Sequence, residues 1–145
     1  MTIMMPASDQ AVLARRDTIV AALRAIVPGK GVIDSAAEML PYESDGLMAY
    51  RQPPMVVVLP DTTEQVSQVL KYCFAQGIKV VPRGAGTSLS GGALPLADGV
   101  LLGLGKFKRI REIDETRTAF RGLSSARAPC KKQPQSHPET TKSIP

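Results

Sequence analysis

The chain has 145 residues, carries 18 basic against 13 acidic side chains and has a mean hydropathy of −0.02, which suits one folded domain. Its basic excess lies at one end, because residues 1–115 carry 12 basic and 12 acidic residues, whereas residues 116–145 carry 6 and 1. The folded part therefore lacks the basic patch that nucleic-acid binding requires. No apolar run approaches the ~18 residues of a transmembrane helix, so the cytoplasm is the default compartment. Cys73 and Cys130 have no metal-binding or redox spacing.

Residues 1–28 are predicted to form an N-terminal helical segment. Apolar residues recur there at helical spacing, at Ile19, Val20, Leu23, Ile26 and Val27. Pro28, followed by a glycine, ends the helix. The pattern favours an amphipathic helix that packs on the domain over an export signal, because Asp17 directly follows the arginine pair at 15 and 16.

The body of the domain is predicted within residues 29–119, beginning with a short strand at 32–33. The apolar run 55–59 is bounded by prolines and is typical of a strand buried on both faces. A helix follows, with a capping box from Thr62 to Gln65 and a stop at Gly77. Five residues of this helix form an apolar stripe and are expected to be buried, namely Val66, Val69, Leu70, Cys73 and Phe74.

Residues 78–81 are predicted as the next strand, so that strand, helix and strand form a βαβ unit with parallel strands. Further strands are predicted at 100–104 and 110–114. Residues 41–51 are predicted to be a long connection that carries Tyr42, Asp45 and Tyr50. A solvated loop is favoured, and a functional role for Asp45 and Tyr50 is the alternative.

The second strand of this unit runs into a loop of unusual composition. Of the eleven residues from Gly84 to Leu94, four are glycine, two serine and one threonine, and Arg83 precedes them. Glycines let a backbone approach a ligand closely, successive N–H groups can converge on an anion, and the loop leaves the carboxyl end of a strand, where ligands bind in α/β sheets. The pattern indicates a pyrophosphate site, although it matches neither the P-loop nor the complete G-x-G-x-x-G fingerprint, and a mobile surface loop is the alternative.

PRGAGTSLSGGALP closely resembles the FAD pyrophosphate loop of the vanillyl-alcohol oxidase and p-cresol methylhydroxylase type. PYESDGLMAYRQPPMVVVLP before it and GVLLGLGKFKRIREID after it extend the resemblance, chiefly to the FAD-binding subunit of glycolate oxidase and its D-lactate dehydrogenase relatives. The resemblance covers roughly residues 26–119. It implies an α/β (α+β) fold, the N-terminal part of a p-cresol methylhydroxylase-type FAD-binding domain, with an amphipathic helix, a βαβ unit and further strands. The composition of the remaining residues predicts a disordered basic tail.

The resemblance also implies which residues bind FAD. The predicted site residues are Arg83, Gly84, Ala85, Gly86, Thr87, Ser88, Gly91, Gly92 and Ala93. Arg83 is either a partner of the pyrophosphate or a structural arginine that bridges loops. Family members with flavin bound covalently through this loop have histidine at the position of Thr87, so non-covalent FAD is expected.

The resemblance stops after Ala119, and residues 120–145 are predicted to be an aberrant or disordered tail with four prolines. We expect a truncated or frame-shifted fragment of a 2-hydroxy-acid oxidoreductase, inactive alone, whose relatives work with other oxidase subunits. No catalytic or metal-binding residue is assigned, because the only histidine, His137, lies in the tail. The alternatives are a non-catalytic nucleotide- or phosphate-binding module and a chain that binds protein through its basic tail.

Overall fold

The computed structural model describes residues 7–46, 49–114 and 119–122. The helices are α1 (Gln10–Leu13), α2 (Arg16–Ile26), α3 (Ala36–Met39) and α4 (Thr63–Gln76), with a 3-10 turn at Leu40–Tyr42. The strands are β1 (Val32–Ile33), β2 (Val56–Val58), β3 (Lys79–Arg83), β4 (Gly99–Gly103), β5 (Ile110–Asp114) and β6 (Ala119–Gly122). The predicted mixed α/β fold is confirmed.

Four strands build the main sheet in the order β1-β2-β4-β3. β2 and β3 both run parallel to β4, so the two strands joined by α4 are parallel to each other, as predicted. They are not neighbours, because β4 lies between them and pairs Leu101 with both Val57 and Val81. The apolar sequence of β4 explains this central position, since a strand covered on both faces has no use for polar side chains.

The hydrophobic core lies on both faces of this sheet, because successive side chains of a strand point to opposite faces. On one face α2 and α4 contribute buried residues such as Leu23 and Val69 to the larger cluster. The other face carries a smaller cluster of Met39, Val57 and Leu101. The predicted amphipathic helix is therefore α2, and it packs on the domain as expected.

Helix α4 begins and ends at the predicted signals. Thr62 Oγ1 accepts the N–H of Gln65 at 3.2 Å, and the Gln65 side chain in turn accepts the N–H of Asp61 at 2.7 Å. The helix ends at Gly77, whose φ of 66° lies in the left-handed region that glycine tolerates best.

The predicted apolar stripe of α4 is wrong for two of its members. Val69 and Cys73 are fully buried, but Leu70 is 44% exposed and Phe74 is 90% exposed. Successive residues are separated by about 100° around a helix. The face that seats Val69 and Cys73 in the core therefore turns Leu70 and Phe74 away from it.

β5 and β6 form a separate antiparallel pair in which Ile113 lies opposite Phe120. This pair crosses the boundary predicted between the domain and its tail, because β6 runs on to Gly122. Residues 123–145, which hold most of the predicted disordered tail, lie outside the described residues, so that part of the expectation stays a prediction.

Candidate functional site

Two loops leave the sheet side by side. β3 ends at Arg83 and β4 at Gly103, and these two residues are paired across the sheet. The N–H of Leu104 donates to the carbonyl of Arg83 at 2.7 Å, so the glycine loop (residues 84–94) and the β4 loop (residues 104–109) begin next to each other. Both follow the carboxyl ends of parallel strands, the edge at which α/β sheets bind ligands.

Arg83 ties the glycine loop to an earlier segment, residues 41–46, called the strap below. Its Nη1 donates to the carbonyl of Ser44 at 2.7 Å and its Nη2 to the carbonyl of Pro41 at 3.4 Å. Its Cζ lies 5.8 Å from the centre of the Tyr42 ring, within cation–π range. These contacts describe the bridging role that was one of two predicted for Arg83, and its contact with phosphate stays a prediction.

The strap also packs directly against the glycine loop. A Cβ added at Gly46 would lie 3.0 Å from the carbonyl oxygens of Thr87 and Ser88. Asp45 next to it is only 5% exposed. The prediction of a solvated connection is therefore wrong for Asp45, whereas Pro41 and Gly46 at the two ends of the strap are exposed. Gly46 was the available signal, because glycine permits two backbones to approach closely.

The glycine loop is shaped by its own backbone. Gly86 and Gly91 have φ angles of 74° and 76°, which L side chains rarely adopt. A Cβ at Gly86 would lie 2.6 Å from Cζ of Arg83, so a side chain there would have to displace the guanidinium as well. Ser88 Oγ accepts the N–H of Gly92 at 3.1 Å, which closes the turn and leaves the hydroxyl proton able to bind a ligand.

A groove of about 590 Å³ lies between the two loops. Its lining consists of Gly84, Ala85, Leu104, Gly105, Phe107 and Lys108. The last four were missed by sequence reasoning. The rule about carboxyl strand ends that drew attention to the glycine loop would have found them if applied to β4 as well.

The nine predicted site residues share one loop but not one surface. Gly84 and Ala85 line the groove, whereas Thr87 is exposed outside its lining and Ala93 is buried within the protein. Five more lie in or beside the glycine loop without lining the groove, namely Arg83, Gly86, Ser88, Gly91 and Gly92.

The charged side chains are paired differently at the carboxyl ends and at the amino ends of the parallel strands. Near the groove, Lys106 is paired with Asp61 at 2.8 Å. At the amino ends of β3 and β4, the buried carboxylate of Asp98 accepts hydrogen bonds from Lys79 Nζ and from the N–H of Asp9, both at 2.8 Å. Burial alone would raise the pKa of Asp98, but these hydrogen bonds and the Lys79 charge outweigh it and the pKa is lowered. Asp98 therefore fastens the N-terminal segment to the sheet.

Other reactive chemistry is not evident in the described part of the chain. Burial raises the pKa of the Cys73 thiol to about 11, so it is protonated at neutral pH, and the prediction of a buried thiol is confirmed. Within the described ranges no group of His, Cys, Asp or Glu side chains is placed to hold a metal ion. None of the helices described is both long and apolar enough to span a bilayer.

The sequence comparisons cover the part of the chain that contains both loops. Residues 54–121 match the family described as FAD binding domain. The chain is 50% identical over 99 residues to glycolate oxidase subunit GlcD of Escherichia coli strain K12. It is 30% identical over 100 residues to D-2-hydroxyglutarate–pyruvate transhydrogenase DLD3 of Saccharomyces cerevisiae. Each alignment covers 68% of this chain and 20% of the relative.

Two solved structures share the fold. p-Cresol methylhydroxylase superposes with a TM-score of 0.61 at 25% identity, over 78% of this chain and 22% of that one. 4-Ethylphenol oxidase from Gulosibacter chungangensis gives 0.62 at 21% identity, over 79% and 22%.

Residues 54–121 thus match an FAD-binding domain, and the described chain shares the fold of the matching part of p-cresol methylhydroxylase, a flavin oxidase of that type. Its homologues are glycolate oxidase subunits and dehydrogenases of D-lactate and D-2-hydroxyglutarate. The chain spans about one fifth of the length of these relatives.

Proposed function

We propose that the chain is the FAD-binding portion of an oxidoreductase that acts on 2-hydroxy acids such as glycolate or D-lactate. The observation that carries the proposal is the glycine loop, which begins at the carboxyl end of β3 and takes positive φ angles at Gly86 and Gly91. Its side chains are small, so a ligand can approach the backbone closely. The identity to glycolate oxidase subunit GlcD supports the substrate class.

Each part of the glycine loop has a role in this proposal. The N–H groups of residues 84–86 hydrogen-bond the pyrophosphate, as backbone donors in turns commonly do. Thr87 and Ser88 add hydroxyl donors. Residues 91–93 carry almost no side chain, so the ribityl chain and the flavin ring can pass close to the backbone.

We further propose that the FAD is held without a covalent bond. The glycine loop offers only Thr87 and two serines as side-chain nucleophiles, whereas the relatives with flavin attached at the Thr87 position use histidine. Acid precipitation of the flavin-loaded protein should release all of the flavin into the supernatant. Yellow colour retained in the pellet would contradict this.

The chain by itself is proposed to bind FAD without turning over hydroxy acids. Holding the substrate carbon at the flavin can account for ~7–11 kcal/mol of the barrier, and a proton acceptor such as histidine typically adds 100- to 10,000-fold, roughly. The one histidine of the chain, His137, lies outside the described residues. The groups that position the substrate and accept its proton are expected from other parts of the enzyme. Partner subunits and a cytoplasmic location stay predictions. Dye reduction with glycolate and D-lactate above the free-FAD background would contradict the proposal.

Substitutions of Gly84 test the proposed site. A Cβ added there meets no atom within 4 Å and its φ lies outside the left-handed region, so Gly84→Ala and Gly84→Val should fold normally. If the phosphates approach this backbone, FAD binding followed by flavin fluorescence should weaken in Ala and be lost in Val. Unchanged FAD affinity in Gly84→Val, at an unchanged Tm, would defeat the assignment.

One alternative function has specific support. The groove contains a lysine and glycine backbone, which also suit a phosphate or a simple nucleotide in a non-catalytic module. Binding of ADP without any affinity for FAD or FMN would favour it. The third predicted class, protein binding through the basic tail, concerns residues outside the described ranges.

A further inference from the structure

We propose that the groove between the glycine loop and the β4 loop binds the phosphate-bearing part of the nucleotide, and that Lys108, rather than Arg83, is the cation that holds it. This inference rests on the proposed FAD binding and names a contact that the resemblance did not include. It follows from how the basic side chains at this edge of the sheet are used.

Arg83 is already committed to the protein. Its two terminal nitrogens donate to the carbonyls of Ser44, Pro41 and, at 3.5 Å, Ala93. Because Arg83 does not line the groove, reaching a phosphate bound there would require the guanidinium to move, and that movement would release the strap from the glycine loop.

Lys106 and Lys108 lie two residues apart but differ in their partners. The Lys106 ammonium is 2.8 Å from Asp61, and Lys106 does not line the groove. Lys108 lines the groove and is exposed. In the described part of the chain it takes part in no ion pair. Arg109, the third basic residue of the β4 loop, is not part of the groove lining either. Lys108 is therefore the basic side chain of this loop that is placed to meet an anion in the groove.

The rest of the groove suits a phosphate joined to a flat ring. No hydrogen bond between described residues uses the N–H of Gly84 or of Ala85, so both donors are open to a ligand. The lining contains no carboxylate that would repel an anion. Leu104 and the half-buried Phe107 supply apolar surface, and the volume of about 590 Å³ lies within the ~300–1,000 Å³ of small-molecule sites.

The test compares Lys108→Gln with the matched control Lys106→Gln. Binding of FAD, FMN, ADP and riboflavin is measured by flavin fluorescence and, for ADP, by calorimetry, at low and at physiological salt. Loss of one charge-assisted contact should weaken the binding of FAD about 10- to 100-fold in Lys108→Gln. Its salt dependence should also be shallower. Lys106→Gln should bind like the wild type, riboflavin should be insensitive to both changes, and Lys108→Arg should retain most of the affinity.

The ligands separate the possible outcomes. A loss shared by FAD and ADP assigns the adenosine diphosphate part to the groove, and a loss shared by FAD and FMN assigns the flavin phosphate, and either supports the proposal. If the wild type binds FAD but Lys108→Gln binds it equally well, the role of Lys108 is wrong and the proposed function survives. If the wild type binds ADP through Lys108 but no flavin, the groove is right and the FAD proposal is wrong. A wild type that binds none of these ligands overturns both.

Discussion

The central strands of the sheet, β2 and β4, and the glycine loop at the carboxyl end of the neighbouring strand β3 are held in position in different ways. In β2 and the apolar part of β4 every residue is at most 2% exposed, and apolar contact fixes their positions. The glycine loop is mostly exposed and keeps its shape through Arg83, Ser88 and two positive-φ glycines. We therefore expect the centre to tolerate conservative apolar exchange and the glycine loop to be sensitive to changes at single residues. A rigid sheet that carries such loops is a common way to build a binding site.

The largest effect is expected from a cavity in the centre. Leu101→Ala should lower the free energy of unfolding by about 2–5 kcal/mol, because Leu101 is fully buried between two strands. Urea denaturation measures this. The matched control is Leu70→Ala on the outer face of α4, expected to cost roughly 0.5 kcal/mol. Equal costs for the two leucines would show that the difference in burial is wrong.

The second effect concerns the glycine loop. Gly86→Val should lower stability by about 1–3 kcal/mol through backbone strain and should abolish FAD binding, because the new side chain also collides with Arg83. Gly105→Val serves as a stability control, since a Cβ there meets nothing within 4 Å and its φ is not left-handed. A Gly86→Val protein with wild-type Tm and FAD affinity would refute the described loop geometry.

The third effect tests the bridge between strap and loop. Arg83→Lys keeps the charge but cannot reach several carbonyls in a planar fork. Amide exchange of residues 42–46 should become about tenfold faster, equivalent to the loss of one hydrogen bond to a charged group, while exchange in β4 stays unchanged. If Arg83→Lys instead lost FAD affinity without faster exchange in the strap, Arg83 would be a phosphate ligand after all.

The smallest effect is a pH-dependent change in stability that involves Asp98, at the amino end of β4. The folded-state pKa of Asp98 is lowered below 3.8, so the carboxylate stabilises the fold above its unfolded pKa and this contribution is lost as the pH falls through the folded pKa. Urea denaturation near pH 7 should show wild type more stable than Asp98→Asn, and the difference should shrink as the pH falls below 3.8, through the lowered folded-state pKa. A difference that grows on acidification would contradict the assignment.

The sequence predicted more of the sheet than of the site. Runs of valine and leucine set the strands, and the capping box at Thr62 and the glycine at 77 set the limits of α4, because these signals are local. The insertion of β4 between β2 and β3, and the exposure of Phe74, depend on which elements meet in space. The glycine loop was found because its composition is a local signal. The strap carbonyls that accept from Arg83, and the position of Lys108 across the groove, were not found because they depend on residues that are distant in the sequence.

The most direct test of FAD binding at these two loops is amide hydrogen exchange with and without FAD. The expected result is slower exchange confined to the glycine loop and the β4 loop, at residues 84–92 and 104–108, with α4 and the outer face of the sheet unchanged. Protection that appears elsewhere, or none at an FAD concentration that quenches flavin fluorescence, would contradict it.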